Sequence, residues 1–408
     1  MLRNACFLVI ILALSGCREN QFKKIDFEVD GFSHEKYPVY KLTKFIQDSI
    51  LRNMEYGEIG DLASIGNMPA MLALVDSIGT RHQEELSKTQ VENFKNYTIH
   101  EAIDYILSNS KNEKIIIINE AHHMPQHRVF STKLLKGLYD QGYRHLGLET
   151  LSTNGIDDSI LNIQKYPTLT SGFYIREPQF GNFVREALIM GWKVFGYESD
   201  DLSSGKIREE NQAKNIKSYM NKYPDGKFFI HCGFDHALEG NIGGEWEKAM
   251  AGRLTEYTGV NPLTIDQVKY SESSKKIYEN GYYQLTNLQE SSVLLDSNNK
   301  IFDENRDGMW KDIHVFHPRT KNFDRPQWLI FDNRKEYNID LTSCDLACPC
   351  LVFAYLDGEK IGSAVPYDLQ ETVDKKVKLI LKPGKYHLVI WNQKDSAQTL
   401  VYNTNLEK

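Results

Sequence analysis

The chain has 408 residues, of which 41% are hydrophobic and 25% are charged, and its formal net charge is −7. This length is too great for one ordinary hydrophobic core, so it predicts two domains, and the composition is that of a globular protein. Because the charge is negative and no basic run or stripe is present, we expect no nucleic-acid partner.

The first 16 residues predict a signal peptide, with Arg3 as its positive charge and residues 7–14 as an apolar stretch too short to span a bilayer. The following Leu-Ser-Gly-Cys, which ends at Cys17, resembles a bacterial lipobox, in which the Cys is lipidated and becomes the mature N-terminus. An ordinary signal peptide and a buried N-terminal strand are the alternatives. We therefore expect residues 17–38 to be a lipidated Cys and a tether. The protein would lie in the bacterial cell envelope, at the outer membrane or facing the periplasm, and contact the membrane through its lipid.

Residues 39–290 predict an α/β domain. The helical periodicity of residues 39–110 indicates two or three helices that cover another part of the molecule. Strand–helix–strand units in series then imply a mainly parallel sheet with flanking helices. The predicted strands are 114–119, 144–148, 192–197 and 227–230, and the predicted helices are 126–140, 180–190 and 207–223.

Residues 325–408 predict a small all-β domain that resembles a sandwich, because short strands alternate with turn sequences. The strands are predicted at 328–331, 337–341, 351–356, 377–381, 386–391 and 399–402. In an exported protein, the spacing of Cys344, Cys348 and Cys350 favours one local disulfide and one free thiol.

A titratable residue follows each predicted strand of the parallel sheet: Glu120, Glu149, Glu198 and His231. The carboxyl ends of parallel strands line one crevice, which is where ligands bind in α/β proteins. For any single strand, a polar residue only marks where the strand stops. Four such residues at one edge predict a functional site.

The sequence NEAHHMPQHR after the first strand contains Glu120, His122, His123, His127 and Arg128. A proline marks the start of the next helix, so the first two histidines lie in a loop and His127 lies in the first helical turn. We expect Glu120, a loop histidine and His127 to lie within reach of one another, with Arg128 in a substrate-binding role.

Residues on three other segments extend the predicted site. His236 follows the fourth strand, and Gly233 allows a tight turn before it. Arg208 would bind an anionic group or a developing oxyanion, Glu149 would be a partner carboxylate or second base, and Glu198 would bind substrate. The insertion at residues 151–178, which contains Tyr174, would be a lid over the site.

Three interpretations of these residues remain open. Histidine–carboxylate pairs could activate water as general acids and bases. Two histidines, His122 and His236, with one carboxylate could instead bind zinc, manganese, cobalt or iron. The histidines could also be ordinary polar residues at the start of a helix.

These residues resemble the superfamily of erythromycin esterases, ChaN-like haem-uptake lipoproteins, TraB and Tiki proteases. The resemblance covers about residues 113–270 and rests on Glu120, His122, His127, Glu149, the segment from Arg208, and Gly233-x-x-His236-x-x-x-Gly240. One departure is Asn119, where the family usually has Gly before the first acid.

The branches of this superfamily imply different chemistry. The erythromycin esterases imply a metal-free hydrolase with a histidine base, matched here by Glu120-Ala-His-His123. The TraB and Tiki branch implies a metal near His236, and the ChaN-like branch implies haem or iron near His122 and His127. We expect an exported hydrolase of a small molecule or peptide, catalysed by Glu120, His123, His127, Glu149, Arg208, His231 and His236. The alternative is a ChaN-like haem- or iron-binding lipoprotein.

Overall fold

The structure is a computed structural model that describes residues 22–25, 39–50, 56–78, 85–151, 155–304, 308–393 and 397–406. Cys17 and most of the expected tether lie outside these residues. Within them, the expected class is confirmed: a large, mostly parallel sheet with flanking helices is joined to antiparallel sheets in the C-terminal region. No helix in this described part is long and apolar enough to cross a membrane.

The secondary structure alternates strands and helices through most of the chain. The strands are β1 (Lys23–Lys24), β2 (Thr98–Glu101), β3 (Ile115–Glu120), β4 (Tyr143–Leu148), β5 (Ile156–Asp157), β6 (Lys193–Gly196), β7 (Lys227–Gly233), β8 (Glu239–Gly240), β9 (Leu263–Tyr270), β10 (Ser292–Leu295), β11 (Met309–Trp310), β12 (Ile313–Phe316), β13 (Lys335–Asp340), β14 (Cys350–Leu356), β15 (Asp368–Thr372), β16 (Lys376–Leu381), β17 (Lys385–Trp391) and β18 (Ala397–Asn403). The α-helices are α1 (Thr43–Ile50), α2 (Tyr56–Ser64), α3 (Met68–Ile78), α4 (Lys88–Phe94), α5 (Ala102–Asn109), α6 (Pro125–Asp140), α7 (Ser159–Gln164), α8 (Pro178–Met190), α9 (Gly205–Lys222), α10 (Met250–Thr258) and α11 (Gly281–Gln284).

The largest sheet has the strand order β2-β10-β12-β9-β3-β7-β4-β6-β5, and its six central strands run parallel. The four consecutive isoleucines of β3 are fully buried, because this strand lies between β9 and β7 with helices on both faces. The antiparallel strands β2, β10 and β5 complete the edges. The sheet therefore continues past residue 290 as far as β12.

The helices α2 and α3 lie over the carboxyl ends of the parallel strands. Gly57 and Ile59 of α2 and Leu72 of α3 line the same cavity as Ala121 and His122, which follow β3. Helices in the N-terminal segment thus cover another part of the molecule, as their periodicity predicts.

The C-terminal region packs an antiparallel sheet, β1-β18-β17-β14-β15, against the two-stranded antiparallel sheet β13-β16. β15 was not predicted, and the segment predicted as a strand at 328–331 instead contains the 3₁₀ turn Gln327–Leu329. Cys344, Cys348 and Cys350 are free thiols in the structure, so the expected disulfide is not formed.

The two regions share one hydrophobic core. Leu351 and Phe353 of β14 belong to the same cluster as Phe183 of α8. Across this boundary, Arg185 of α8 forms a buried, bidentate ion pair with Glu359 at 2.6 and 2.8 Å. The parallel sheet and the C-terminal sheets are therefore packed as neighbouring layers with α8 between them.

Candidate active site

The strand ends converge as the sequence predicts. β3 pairs with β7 so that Glu120 lies opposite Gly233, and β4 pairs with β7 so that Leu148 lies opposite His231. Glu149 follows directly after Leu148. The structure brings eight predicted residues to this edge in a network of two adjacent groups: Glu120 with His122, Arg128 and His231, and Glu149 with Glu198, Arg208 and His236.

Glu120 is a buried carboxylate held by Arg128. Arg128 donates to it from Nε at 2.7 Å and from Nη2 at 2.8 Å, and both side chains are 1% exposed. Arg128 also donates to Glu177 at 3.0 Å. Burial alone would raise the pKa of Glu120, but the guanidinium, His122 and His231 hold it well below its usual range. Glu120 is therefore a carboxylate at any physiological pH.

His122 is the histidine bound directly to this carboxylate. Its Nδ1 lies 2.9 Å from Glu120 Oε1, and its ring stacks on Tyr174 with centroids 3.7 Å apart. The ring of Phe234 packs perpendicular to the His122 ring, with centroids 5.1 Å apart. Because Glu120 can only accept a hydrogen bond, it fixes the neutral tautomer with the proton on Nδ1, which leaves Nε2 free to act as a base.

Gly233 allows the close approach of the His122 ring. A Cβ at Gly233 would lie 2.3–2.4 Å from Cε1 and Nε2 of His122 and 3.3 Å from Oε2 of Glu149. The Gly233 N–H also donates to Glu149 Oε2 at 2.5 Å. His122 Nε2 and Glu149 Oε2 therefore both lie next to Gly233.

A second group of charges surrounds Glu149. Arg208 donates to Glu149 at 2.5 Å and to Glu198 at 2.5 and 3.1 Å, and its side chain is 28% exposed. Burial would raise the pKa of Glu149, but His236, His122 and Arg208 together hold it well below its usual range. The predicted partner carboxylate is therefore ionised, and the histidine nearest to it in this loop is His122, which was predicted as a metal ligand, and not His123, which was predicted as the base.

His236 lies between two carboxylates. Its Nδ1 is 2.8 Å from Glu209, and its Nε2 is 3.3 Å from Glu149. Burial would lower the pKa of His236, but Glu149 and Glu209 outweigh that effect and raise it to about 10. The ring stacks on Trp246. His236 is thus a buried imidazolium that supports Glu149, and sequence analysis gave no reason to single out Glu209.

His231 is buried and neutral. Its Nε2 lies 3.6 Å from Glu120 Oε2, and its ring packs against Phe180 and Phe183 of α8. Desolvation lowers the pKa of His231 to about 4 in spite of the Glu120 carboxylate. The residue is therefore a neutral neighbour of Glu120 at physiological pH.

The other two predicted histidines lie further from this network. The buried ring of His127 accepts a hydrogen bond from the Ala121 N–H at 3.0 Å and stacks on His317, instead of contacting Glu120. The first turn of α6 orients it towards β12 and the loop that follows. His123 lines the larger cavity beside Phe234.

Asn119 holds the turn that contacts His122. Its Nδ2 donates to the Phe234 carbonyl at 2.7 Å and to Asp266 at 2.8 Å, and its Oδ1 accepts from the Gln267 N–H at 2.8 Å. Phe234 has a φ of +41°, which is uncommon for a side chain of this kind. The buried Asn119 amide therefore holds the backbone of Phe234 in this conformation.

Two cavities meet at the stacked rings of His122 and Tyr174. The larger has a volume of about 720 Å³ and the smaller about 290 Å³. Gly57, Gly60 and Phe173 line both cavities together with the two stacked rings. Tyr174 lies in the segment predicted to be a lid, so this segment does form a wall of the site.

The donor set does not fit the metal expected at His122 and His236. His122 Nδ1 is bonded to Glu120, and His236 has Glu209 on one nitrogen and Arg208 Nη1 at 3.1 Å from the other. Arg208 therefore stands where a cation bound to His236 would have to lie. No group of three or more His, Cys, Asp or Glu side chains in the described ranges could hold a metal ion.

Sequence comparisons give no match for this chain, either among protein-family profiles or among curated proteins. Several solved structures are weakly similar, among them the following three. The first, described as bacterial protein toxins, has 14% identity and a TM-score of 0.31, and the match covers 57% of this chain and 48% of that one. The type III effector HopBA1 has 11% identity and a TM-score of 0.30, and the match covers 55% of this chain and 96% of that one. RRSP, a MARTX toxin effector domain from Vibrio vulnificus CMCP6, has 13% identity and a TM-score of 0.30, and the match covers 66% of this chain and 44% of that one. The chain thus spans about half the length of the first, and scores at this level support no conclusion about function.

Glu177, which forms the second ion pair of Arg128, is a site residue that was not predicted from the sequence. Glu177 is the N-cap of α8 and accepts hydrogen bonds from the N–H groups of Gln179 and Phe180 at 2.9 Å. An acid directly before a proline is a signal for a helix start, but nothing in that signal indicates a contact with Arg128, 49 residues earlier.

Proposed function

We propose that the protein is a hydrolase in which His122 activates water without a metal ion. The observation that carries the proposal is the hydrogen bond between Glu120 and His122, in a ring that forms a wall of both cavities. Among the residues predicted for the site, His122 has one ring nitrogen on Glu120 and the other next to Gly233, on the side of Glu149, and its side chain is partly accessible, at 20%.

In the proposed mechanism, His122 Nε2 takes a proton from water as the water oxygen attacks a carbonyl carbon. Glu120 orients the ring and stabilises the imidazolium, and Arg128 keeps Glu120 ionised. Glu149 lies close to Nε2 and also stabilises that imidazolium. His122 then donates its proton to the leaving group, so that the ring ends in its starting form.

The test is a hydrolysis panel of chromogenic esters, amides and peptides with His122→Ala and Glu120→Gln. General-base catalysis is worth about 10²–10⁴-fold, so we expect losses of that size. His387→Ala is the matched control, because His387 pairs with the exposed Asp357 on the C-terminal sheet. Full activity in His122→Ala would refute the proposal.

A ChaN-like haem- or iron-binding protein is the second candidate. It is favoured by one feature: His122 and His123 line the larger cavity beside apolar side chains. His127, the other histidine of that motif, packs on His317 and lines neither cavity. A Soret band or stoichiometric iron in protein purified without chelator, lost on His123→Ala, would support this candidate.

We also propose that the protein is a lipoprotein of the bacterial cell envelope, anchored through Cys17. The support is the lipobox sequence alone. Radiolabelled palmitate should be incorporated into the full chain and not into Cys17→Ser. Equal labelling of both chains would contradict this assignment.

A further inference from the structure

The larger cavity has one apolar wall and one polar wall. Helices α2 and α3 contribute Ile59, Leu72, Val75 and Ile78 to the apolar wall. Its volume of about 720 Å³ lies within the range of about 300–1,000 Å³ that is usual for small-molecule sites. The cavity opens directly on His122, so a group bound there would lie next to the proposed base.

The charged groups on the polar wall already have partners within the protein. Since these charges are compensated, the cavity does not require a charged ligand. The contacts are Asp76 with the Ser274 N–H at 2.8 Å, Glu272 with the Thr320 N–H at 2.9 Å, Glu279 with Arg319 at 2.6 and 3.0 Å, and Lys269 with Glu304.

The smaller cavity differs because it contains an unsatisfied acceptor. The Oε2 atom of Glu58 is buried and has no hydrogen-bond partner among the residues that the structure describes. Lys41, which also lines this cavity, is bound to Asp61 at 2.8 Å. A group that donates a hydrogen bond, such as a hydroxyl, would satisfy Glu58.

We infer that the site takes a neutral amphipathic ester or amide, with an aliphatic group in the larger cavity and a hydrogen-bond-donating polar group in the smaller one. The scissile bond would lie between them, at His122. The catalytic part of this inference rests on the proposed function, whereas the assignment of the cavities does not.

The first test compares p-nitrophenyl esters from acetyl to octanoyl. Each buried methylene is worth up to about 0.8 kcal/mol, so kcat/KM should rise by up to about fourfold per methylene. Val75→Trp fills the cavity and should lower the ratio of kcat/KM for the octanoyl ester to kcat/KM for the acetyl ester at least tenfold. Val401→Trp, at a position 49% exposed on β18, is the matched control.

The second test addresses the polar end. Monooctanoylglycerol carries hydroxyl donors that methyl octanoate lacks. We expect it to have a KM about tenfold lower, which corresponds to a hydrogen bond to a charged group. Glu58→Ala should remove this difference by raising the KM for monooctanoylglycerol. The same KM for the two esters in the unmodified protein would overturn the assignment of the smaller cavity.

A binding measurement separates the inference from the proposed function. Nile red, a neutral dye that fluoresces in apolar sites, should bind the full chain and be displaced by decanol, and Val75→Trp should abolish binding. Binding without any hydrolysis would refute the proposed function and support the cavity assignment. Hydrolysis with no dependence on chain length and no dye binding would overturn the inference. Circular dichroism of each variant confirms that it is folded.

Discussion

Arg128 compensates two buried carboxylates, so its replacement tests the electrostatic basis of the site. The guanidinium is 1% exposed, contacts Glu120 at 2.7 and 2.8 Å and contacts Glu177 at 3.0 Å. Arg128→Met retains most of the side-chain volume but leaves both carboxylates without a counter-ion. Breaking a buried pair in this way costs about 3–5 kcal/mol, which is the expected loss in the free energy of unfolding at pH 7.

The pH dependence of that loss tests whether it comes from the buried charges. In the unmodified protein, the pKa of Glu120 is held well below its usual range, so the stability that Glu120 contributes is lost as the pH falls. In Arg128→Met, burial raises the pKa of the carboxylates, and protonation relieves their repulsion. The difference in the free energy of unfolding between the unmodified protein and the variant should therefore decrease as the pH is lowered from 7 to 5.

The assay is urea unfolding followed by tryptophan fluorescence at both pH values. Arg144→Met is the control, because Arg144 packs on the Tyr139 ring and donates to backbone carbonyls, so its loss leaves no carboxylate without a counter-ion. Glu177→Gln in the Arg128→Met background should recover part of the loss, since one buried charge is removed. A loss below about 1 kcal/mol, or an unchanged pH dependence, would refute the electrostatic argument.

Three further predictions concern the neighbouring residues. Gly233→Ala places a Cβ 2.3 Å from the His122 ring, so it should lower the hydrolase activity at least 100-fold. Gly384→Ala is the control, because its Cβ would have its nearest neighbour at 3.6 Å, and equal rates for the two variants would contradict the close approach. The pKa of His236 is raised to about 10, so the stability it contributes is full below about pH 6.5 and is lost as the pH rises towards 10. Thermal melts of His236→Gln should lack this alkaline decline. The pKa of His231 is lowered to about 4, so its contribution is full above about pH 6.5 and falls by roughly 3 kcal/mol as the pH drops through 4. Melts of His231→Asn that keep the full acidic decline would contradict this assignment.

The sequence predicts the strands of the sheet where a strand is uniformly apolar. β3 is recognisable because four isoleucines stand in a row, as expected for a parallel strand buried on both faces. β9 was missed because it carries Thr264, Asp266 and Gln267, which look like surface residues. All three are buried, and their polar atoms bond to Asp312, Asn119 and other partners distant in the chain. Such partners become evident only once the strands are placed side by side.

The site was predicted best where its residues follow strands. The parallel register alone brings Glu120, Glu149 and His231 to one edge. The assignment of roles among the histidines was harder, because adjacent positions in a loop face different directions: His122 contacts Glu120, and His127 contacts His317. The contact of Glu177 with Arg128 depends on the tertiary packing of α8 against α6, which no local pattern in the sequence indicates.

The placement of α8 makes the C-terminal sheets part of the scaffold of the site. This helix packs Phe180 and Phe183 on His231, while Arg185 on the same helix binds Glu359 in the C-terminal region. A chain cut before residue 325 would expose that side of α8 and remove Glu359, the partner of Arg185. We therefore expect the whole described chain to unfold as one cooperative unit, so that binding at the C-terminal sheets would change the stability of the helix that supports Arg128 and His231.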